Sequence, residues 1–489
     1  MSVTNAPRKL TVSTKNVLHY LIMIALMVIF YFIPSGNVVT PYGMRLLGVF
    51  IGLVYGWTFL GLLVPSIIGC FGLAFAGFGS LEAVSLALFG NITVLLMIFG
   101  SLAFDSLRQT NASDWMFAKI LSSKIAQKNP IYTVTAIFTL VLILGALGMG
   151  ILLQFVLFPV MSEFLKKCGY AKGEKFSVLF LIGYMMACLF PIGIFPFHSW
   201  GLMVCGSLQS IAQYQLPMGE YILASVIVYI LFLITYPLLM KLVGCDFSKL
   251  ATVDVVDAFN VKKDAKLDIA QKISLLGLLI FIGVVVVCSF APIPLFKAAY
   301  AKFTVAGFML IYWAVMLIVR VDDKPILDIR QAAGFMYWDL CILMAVALVL
   351  SSALTSPESG ISTFIAMKLG PILAQFGQIT FIIVLAIVLI ILTNLANNIA
   401  VVFILLNIVA SLHLNGLEIN LLATSIILAI GSCAVAFLTP ASSMPGALVH
   451  GASMVNPKDV YFWNCILMVY EFILLMLVCI PIVLLGIGA

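Results

Sequence analysis

Charged side chains are scarce in this sequence. Asp, Glu, Lys and Arg make up 9% of its 489 residues, whereas 64% of the residues are hydrophobic. A soluble domain has about 25% charged and about 45–50% apolar residues, so these few charges cannot cover a water-facing surface. The composition excludes a soluble enzyme, a nucleic-acid-binding protein, a secreted disulfide scaffold and a disordered protein. It predicts that lipid surrounds most of the chain.

Paired cysteines and the sequence motifs of common enzymes are also missing. The ten cysteines are scattered singly, without a Cys-x-x-Cys pair, and are interpreted as small apolar residues rather than disulfide partners or zinc ligands. No HExxH, GxSxG or nucleotide-binding loop occurs. These absences argue against a membrane-embedded enzyme, and no cofactor is expected.

The long apolar runs predict an all-α polytopic membrane protein with about 11 transmembrane helices and two re-entrant hairpins. The predicted order is a tail with a first span (1–42), a first inverted repeat (43–244), a cytosolic linker (245–272) and a second inverted repeat (273–489). The parts of the first repeat are scaffold spans at 43–107, a hairpin at 131–165, a broken span at 176–206 and a span at 219–243. Those of the second are scaffold spans at 273–353, a hairpin at 373–411, a broken span at 419–450 and a last span at 460–487.

The hairpins are inferred from two apolar blocks, 131–165 and 373–411, that are too long for single spans of about 17–25 residues. Each has a polar or glycine-rich interruption, at 145–150 and 393–398. The alternative is one kinked helix. With a cytosolic N-terminus and no crossing by either hairpin, 21 of the 25 Lys and Arg residues face the cytosol. This positive-inside bias favours the hairpins and predicts a cell-membrane protein whose C-terminus is outside.

The two halves carry matching interruptions. An offset of 249 residues superposes the pair Pro191 and Pro196 on the pair Pro440 and Pro445, and an offset of 248 superposes the two hairpin interruptions. Proline inside a helix removes a hydrogen bond and breaks the helix. Paired broken helices in inverted repeats indicate a transporter's midplane site, where half-helix N-termini present N–H groups to an anion. The alternative is two independent packing kinks.

At these residues the chain resembles the divalent anion/sodium symporter (DASS) family of the ion transporter superfamily. The segment 393–401 (TNLANNIAV) is similar to the family's second hairpin tip, and 440–447 (PASSMPGA) is similar to its second broken helix. The likeness in span order covers nearly the whole chain. It implies an elevator-type secondary carrier, usually a homodimer in the membrane, for dicarboxylates, citrate or sulfate.

One departure from the family affects the coupling ion. The first Ser-Asn-Thr motif of the family falls on residues 149–151 (MGI), which offer no side-chain oxygen. Both sodium and the proton therefore stay open as the coupling ion. No ATP-binding segment is found, so an ion gradient, exchange or the solute's own gradient must drive transport.

The candidate site residues lie at the tips and breaks. The residues expected to bind substrate are Asn394, Asn397, Asn398, Thr439, Ser442, Ser443, His198, Pro196 and Pro445. Those expected at an ion site are Gly148, Gly150, Thr393, Asn398 and Ser443. Alternatively, the asparagines cap hairpin helices, the hydroxyl groups satisfy freed carbonyls, the glycines allow close packing and His198 has a packing role.

Two further ionisable residues receive structural interpretations. His450 is expected to be solvated near the cytosolic end of its span, and Glu471 is expected near a span end, snorkelling or paired.

The sequence thus predicts a secondary active transporter for a small organic or inorganic anion, a di- or tricarboxylate being preferred. Its expected partners are that anion, lipid and a second copy, without nucleic acid. The alternative is another carrier of the superfamily, a cation/proton antiporter or an oxyanion exporter. Such a carrier needs an acidic residue at the broken helices, and none occurs in 191–201 or 439–451.

Overall fold

The chain is described here from a computed structural model. The described residues are 14–112, 115, 129–146, 153–194, 199–252, 266–290, 293–336, 338–373, 375–395, 397–439 and 443–488. They are almost entirely helical, with one short antiparallel pair of strands, Arg320–Val321 and Lys324–Pro325. The predicted all-α membrane fold is confirmed. Five described helices are long and apolar enough to cross a membrane: Lys175–Ile194, Met218–Leu242, Trp338–Thr355, Gln378–Leu395 and Pro457–Leu484.

The α-helices of the first half are α1 (Thr14–Ile29), α2 (Pro41–Phe59), α3 (Leu63–Ala76), α4 (Leu81–Phe89), α5 (Ile92–Phe104), α6 (Ser106–Gln109), α7 (Pro130–Leu144), α8 (Phe158–Lys167), α9 (Lys175–Ile194), α10 (Ser199–Ala212) and α11 (Met218–Leu242). Those of the second half are α12 (Ile269–Phe290), α13 (Pro294–Ile318), α14 (Ile329–Phe335), α15 (Trp338–Thr355), α16 (Ile361–Leu373), α17 (Gln378–Leu395), α18 (Asn398–Leu414), α19 (Leu421–Gly431), α20 (Met444–Gly451) and α21 (Pro457–Leu484). A π-helix covers Leu153–Leu157, and 3-10 helices cover Ser248–Thr252 and Pro357–Ser359.

The chain divides into two compact units. The first contains the described residues up to Leu88 together with Trp338–Phe364. Within it, glycines at positions 48, 52 and 56 let α1 and α2 pack closely, because a Cβ atom at Gly48 would lie 2.6 Å from the carbonyl oxygen of Met27. Small residues at four-residue spacing are the usual way for two membrane helices to approach one another.

The second unit contains Phe89–Tyr337 and the chain from Ile365 onward. Its core is built around α9, of which nearly every side chain is buried. Buried tyrosines of α11 bind main-chain carbonyls of other helices: the Tyr229 hydroxyl donates to Phe138 (2.9 Å) and the Tyr236 hydroxyl donates to Leu179 (2.8 Å). A phenol with a partner adds both apolar area and a hydrogen bond to such a core.

The second tip anticipated from the sequence coincides with helix ends in the second unit, because α17 and α18 are separated at Asn397. At the first tip, α7 passes into π-helical backbone at 145–146, and α9 is described as far as Ile194. The interruption after α19 differs from its predicted place near Pro440, because α19 already ends at Gly431 and the chain is non-helical over 432–439. The re-entrant course of the two hairpins stays a prediction.

Candidate functional site

The second predicted tip is a junction between two helices, α17 and α18, at Asn397. The side-chain oxygen of Asn397 accepts hydrogen bonds from the amides of Ile399 (3.0 Å) and Ala400 (3.3 Å). This residue is therefore the N-cap of α18, which was the alternative interpretation for the tip asparagines. The side chains of Asn397 and Asn398 are half-buried and retain access to the surface.

Asn394, in the last turn of α17, is fully buried and uses its whole hydrogen-bonding capacity. Its amide nitrogen donates to the carbonyls of Ile390 (2.9 Å) and Val435 (2.5 Å). Its oxygen accepts from the main-chain amide of Leu438 (3.1 Å) and from the side-chain amide of Asn464 (2.8 Å). An amide side chain has two donor hydrogens and two acceptor lone pairs. Asn394 therefore fastens the second tip to the segment that follows α19.

Several main-chain carbonyls of the non-helical segment 432–439 accept hydrogen bonds from side chains. The side-chain amide of Asn398 donates to the Ser432 carbonyl (3.3 Å), and the hydroxyl of Ser443 donates to the Ala436 carbonyl (2.6 Å). Irregular backbone at membrane depth requires such partners. The predicted substrate-binding residues Asn398 and Ser443 thus have a structural role in this conformation.

His450 also contacts this segment and is half-buried, so it is only partly solvated. Its Nε2 atom lies 2.9 Å from the Phe437 carbonyl oxygen, and its ring packs against Tyr461. Its Nδ1 atom is buried and has no hydrogen-bond partner within the described ranges. The sequence placed His450 from its distance to a span end, but the chain folds α20 back against the unwound segment.

The first broken helix contacts the second directly through backbone. Helix α9 continues three residues past Pro191, and a Cβ atom at Gly193 would lie 2.9 Å from the carbonyl oxygen of Ala429 in α19. The carbonyl of Gly193 accepts a hydrogen bond from the buried hydroxyl of Tyr221. Pro191 therefore does not end the helix itself, although α9 ends within one turn of it.

A hydrogen bond of 2.7 Å joins the indole Nε1 of Trp200, on α10, to the hydroxyl of Ser432. The same hydroxyl donates to the carbonyl of Leu428 one turn earlier. Such a bond to the carbonyl four residues earlier also occurs at Ser425 inside α19, so the contact with Trp200 is what distinguishes Ser432.

The first tip follows α7 and contacts the first broken helix. A Cβ atom at Gly145 would lie 2.8 Å from the ring of Pro191. The hydroxyl of Tyr184, on α9, donates to the Leu153 carbonyl (3.0 Å) in the π-helical turn beyond the tip. Residues 147–152 lie outside the described residues, and the predicted ion-site residues Gly148 and Gly150 are among them.

The interrupted segments of the second unit thus form one series of contacts. Each tip contacts the broken helix of its own repeat, and the two broken helices contact each other. Four predicted site residues come together around 432–439 in this arrangement, namely Asn394, Asn398, Thr439 and Ser443. The hydroxyl of Thr439 donates to the Asn394 carbonyl (3.4 Å).

The other predicted residues are placed differently. His198, Pro196 and Ser442 lie outside the described residues. Pro445 lies in the first turn of α20, and Thr393 is buried with its hydroxyl donating to carbonyls in the preceding turn of α17.

Sequence reasoning missed two polar residues of α21, Asn464 and Glu471. Both are buried, and Glu471 lies in the middle of the helix, so its expected place near a span end is wrong. They are seven residues apart, which puts them two turns apart on the same helix face. That spacing of two polar residues in the last apolar span was the available signal.

Comparison with known families identifies the architecture. The family model described as "Sodium:sulfate symporter transmembrane region" matches residues 14–485. The chain belongs to this family. The resemblance drawn from the tip and break motifs is confirmed, and this member of the sodium:sulfate symporter family is a multi-pass membrane protein and a secondary anion transporter. No match is found among curated proteins.

Proposed function

We propose that the protein carries a small divalent or trivalent anion, a di- or tricarboxylate in preference to sulfate, and that an ion gradient or exchange drives this transport. The observation that carries the proposal is the series of contacts among the two tips and the two broken helices in the second unit. Interrupted helices in corresponding positions of two repeats place free N–H groups around one midplane site.

Two polar atoms at the second tip are available to bind an anion and its coupling cation. The amide nitrogen of Asn397 and the side-chain oxygen of Asn398 have no hydrogen-bond partner among the residues that the structure describes. Both side chains are half-exposed. An amide nitrogen donates to a carboxylate, and an amide oxygen is a ligand for a hard cation.

Transport is proposed to follow an elevator mechanism in a homodimer of the cell membrane. The moving part would comprise 131–206 and 373–450, both of which lie in the second unit. The N-terminus would face the cytosol and the C-terminus the outside, as the distribution of Lys and Arg favours.

Uptake by purified protein in liposomes tests this function. Labelled succinate, citrate and sulfate are supplied under an inward sodium gradient, under an inward proton gradient and in exchange for internal substrate. We expect saturable uptake of at least one anion in at least one arm. Exchange of a cation for protons without any anion flux would instead support the antiporter alternative and overturn the proposal.

A matched pair of asparagine variants tests the site. Asn398→Ala removes the half-exposed amide at the tip, and we expect the KM for the anion or its coupling cation to rise about tenfold, or about 1.4 kcal/mol. Asn415→Ala removes an exposed amide from the other end of the same helix, where it also binds one carbonyl, and serves as control. Equal KM values for both variants would place the site elsewhere.

A further inference from the structure

Glu471 is an acidic side chain in the middle of a membrane-spanning helix. Helix α21 runs from Pro457 to Leu484, so 14 residues precede Glu471 and 13 follow it. At 1.5 Å per residue, about 20 Å of helix lies on either side. The residue is 1% exposed. An ionisable residue at such a depth calls for a functional explanation.

Among the described residues, no cationic side chain lies against the carboxyl group. The main chain at Val435 is within interaction range and the thiol of Cys433 lies beside it, but neither oxygen atom makes a well-formed hydrogen bond in the described part of the chain. The phenol of Tyr470 binds Thr235 instead. The helices packed against α21 carry other ionisable groups. Lys175, Glu220 and Lys241 lie at helix ends, and His450 contacts Phe437. The hydroxyl groups of the buried tyrosines bind main-chain carbonyls, and Cys188 is buried in α9; the tyrosines are Tyr184, Tyr221, Tyr229 and Tyr236.

An unpaired carboxylate in such surroundings is strongly unfavourable, and a carboxyl group there binds a proton instead. A metal ion is a poorer occupant, because hard cations take about six or more oxygen ligands. The side chains of α21 that lie three and four residues from Glu471 are apolar: Leu467, Leu474 and Leu475 are buried and Met468 is half-buried.

Glu471 is also directly connected to the candidate site. Two turns earlier on the same face, Asn464 donates to Asn394, which fastens the second tip. One turn later, Leu475 packs against Gly431, where a Cβ atom would lie 2.9 Å from its side chain. Glu471 therefore lies at the same depth along α21 as segment 432–439, whose main-chain carbonyls accept hydrogen bonds from side chains of the tip.

We infer that Glu471 is a proton-binding site that couples proton movement to anion transport. The proton is held while segment 432–439 covers the carboxyl group, and it is released when a rearrangement of that segment admits water. The inference rests on the proposed anion transport and assigns one of its coupling ions to a residue of α21.

The transport test compares the wild type with Glu471→Gln, which retains the shape of the neutral acid but binds no proton. Lowering the external pH from about 7.5 to about 5.5 should raise wild-type uptake at least about fivefold. In the variant this response should be lost while exchange of internal for external anion persists. Glu220→Gln, at an exposed position at the start of α11, should behave as the wild type.

Retention of the pH response by Glu471→Gln would overturn the inference. The inference would also be overturned if wild-type uptake moved no protons and Glu471→Gln lost its response to sodium, because Glu471 would then bind sodium. A proton-sensitive dye inside the liposomes separates these two results.

Infrared spectroscopy tests proton binding independently of transport. The carbonyl stretch of a protonated carboxyl group should be present in the wild type at neutral pH and absent from Glu471→Gln. If the stretch is present but no anion is transported, the proposed function fails and the protonation site stands. If the stretch is absent from the wild type, the inference is wrong whatever is transported.

Discussion

Trp200 and Ser432 are separated by 232 residues in sequence, yet the indole of one donates a 2.7 Å hydrogen bond to the hydroxyl of the other. Trp200 follows the first broken helix, and Ser432 begins the unwound segment of the second repeat. The bond is buried, so water does not compete for it. This one contact therefore links the interrupted regions of the two repeats.

Replacing either residue of this hydrogen bond should lower the free energy of unfolding. Trp200→Phe should lower the free energy of unfolding by about 1 kcal/mol, and Ser432→Ala by about 1–3 kcal/mol, because the alanine leaves a buried indole N–H unpaired. A double-mutant cycle, measured by equilibrium unfolding in detergent, should give a coupling energy of at least about 0.5 kcal/mol. Strictly additive effects would show that the two residues act independently.

Asn394 should be intolerant of substitution for structural reasons. Asn394→Ala leaves two carbonyls and two N–H donors without their partner, so we expect a loss of at least about 3 kcal/mol of unfolding free energy, at about 1–3 kcal/mol for each buried group. Transport should be lost as well. Asn415→Ala, measured in the same denaturant series, should cost less than about 1 kcal/mol. Similar values for the two variants would contradict the fastening role.

Gly145 should not accept a methyl group, although its backbone is helical (φ −65°). Gly145→Ala places a Cβ atom against the rigid ring of Pro191, and overpacking of this kind costs about 1–3 kcal/mol. Gly283→Ala in α12 is the matched control, because open space surrounds that position. The control should be neutral or stabilising by up to about 1 kcal/mol. Thermal unfolding of both variants checks this, and equal midpoints would refute the predicted contact.

Glu174 should make a small pH-dependent contribution to stability. Partial burial raises the pKa of this carboxyl, but hydrogen bonds from Lys249 and from the Ala171 amide outweigh burial and hold the pKa below its ordinary value. A lowered pKa in the folded state stabilises the protein above the ordinary pKa and ceases to do so as pH falls through the folded value.

Glu174→Gln should therefore lower stability at neutral pH by at most about 1 kcal/mol, since the pair is partly solvated. The difference from wild type should shrink as the solution is acidified below the ordinary glutamate pKa. Unfolding series at several pH values measure it, with Glu418→Gln in an exposed loop as control. If the stability difference between wild type and Glu174→Gln grew on acidification, the predicted lowering of the Glu174 pKa would be contradicted.

The sequence predicted the fold and the interruptions well, because both depend on local properties. Apolar length determines whether a helix can span lipid, and glycine, proline or asparagine clusters determine where it ends. The junction at Asn397 and the change from α-helix to π-helix at Gly145 were found in this way. The early end of α19 was not found, and the contact between Ser432 and Trp200 at that point joins residues 232 apart in sequence, which no local pattern specifies.

Site chemistry was less predictable, since a polar residue type does not reveal what the side chain faces. Asn394 was expected to bind substrate, but its amide is fully occupied by other protein groups. Glu471 was expected near a span end, snorkelling or paired, whereas it is buried in the middle of α21. Its importance arises only when α21 packs beside 432–439, a contact between distant parts of the chain.

The contact at Gly193 limits how the second unit can change shape. With no side chain on Gly193, its backbone lies close to the Ala429 carbonyl, and separating the two helices would lose this close packing. We therefore expect α9 and α19 to travel together as a single rigid body during a transport cycle, with the rearrangement confined to the unwound stretch and the helix junction beside it.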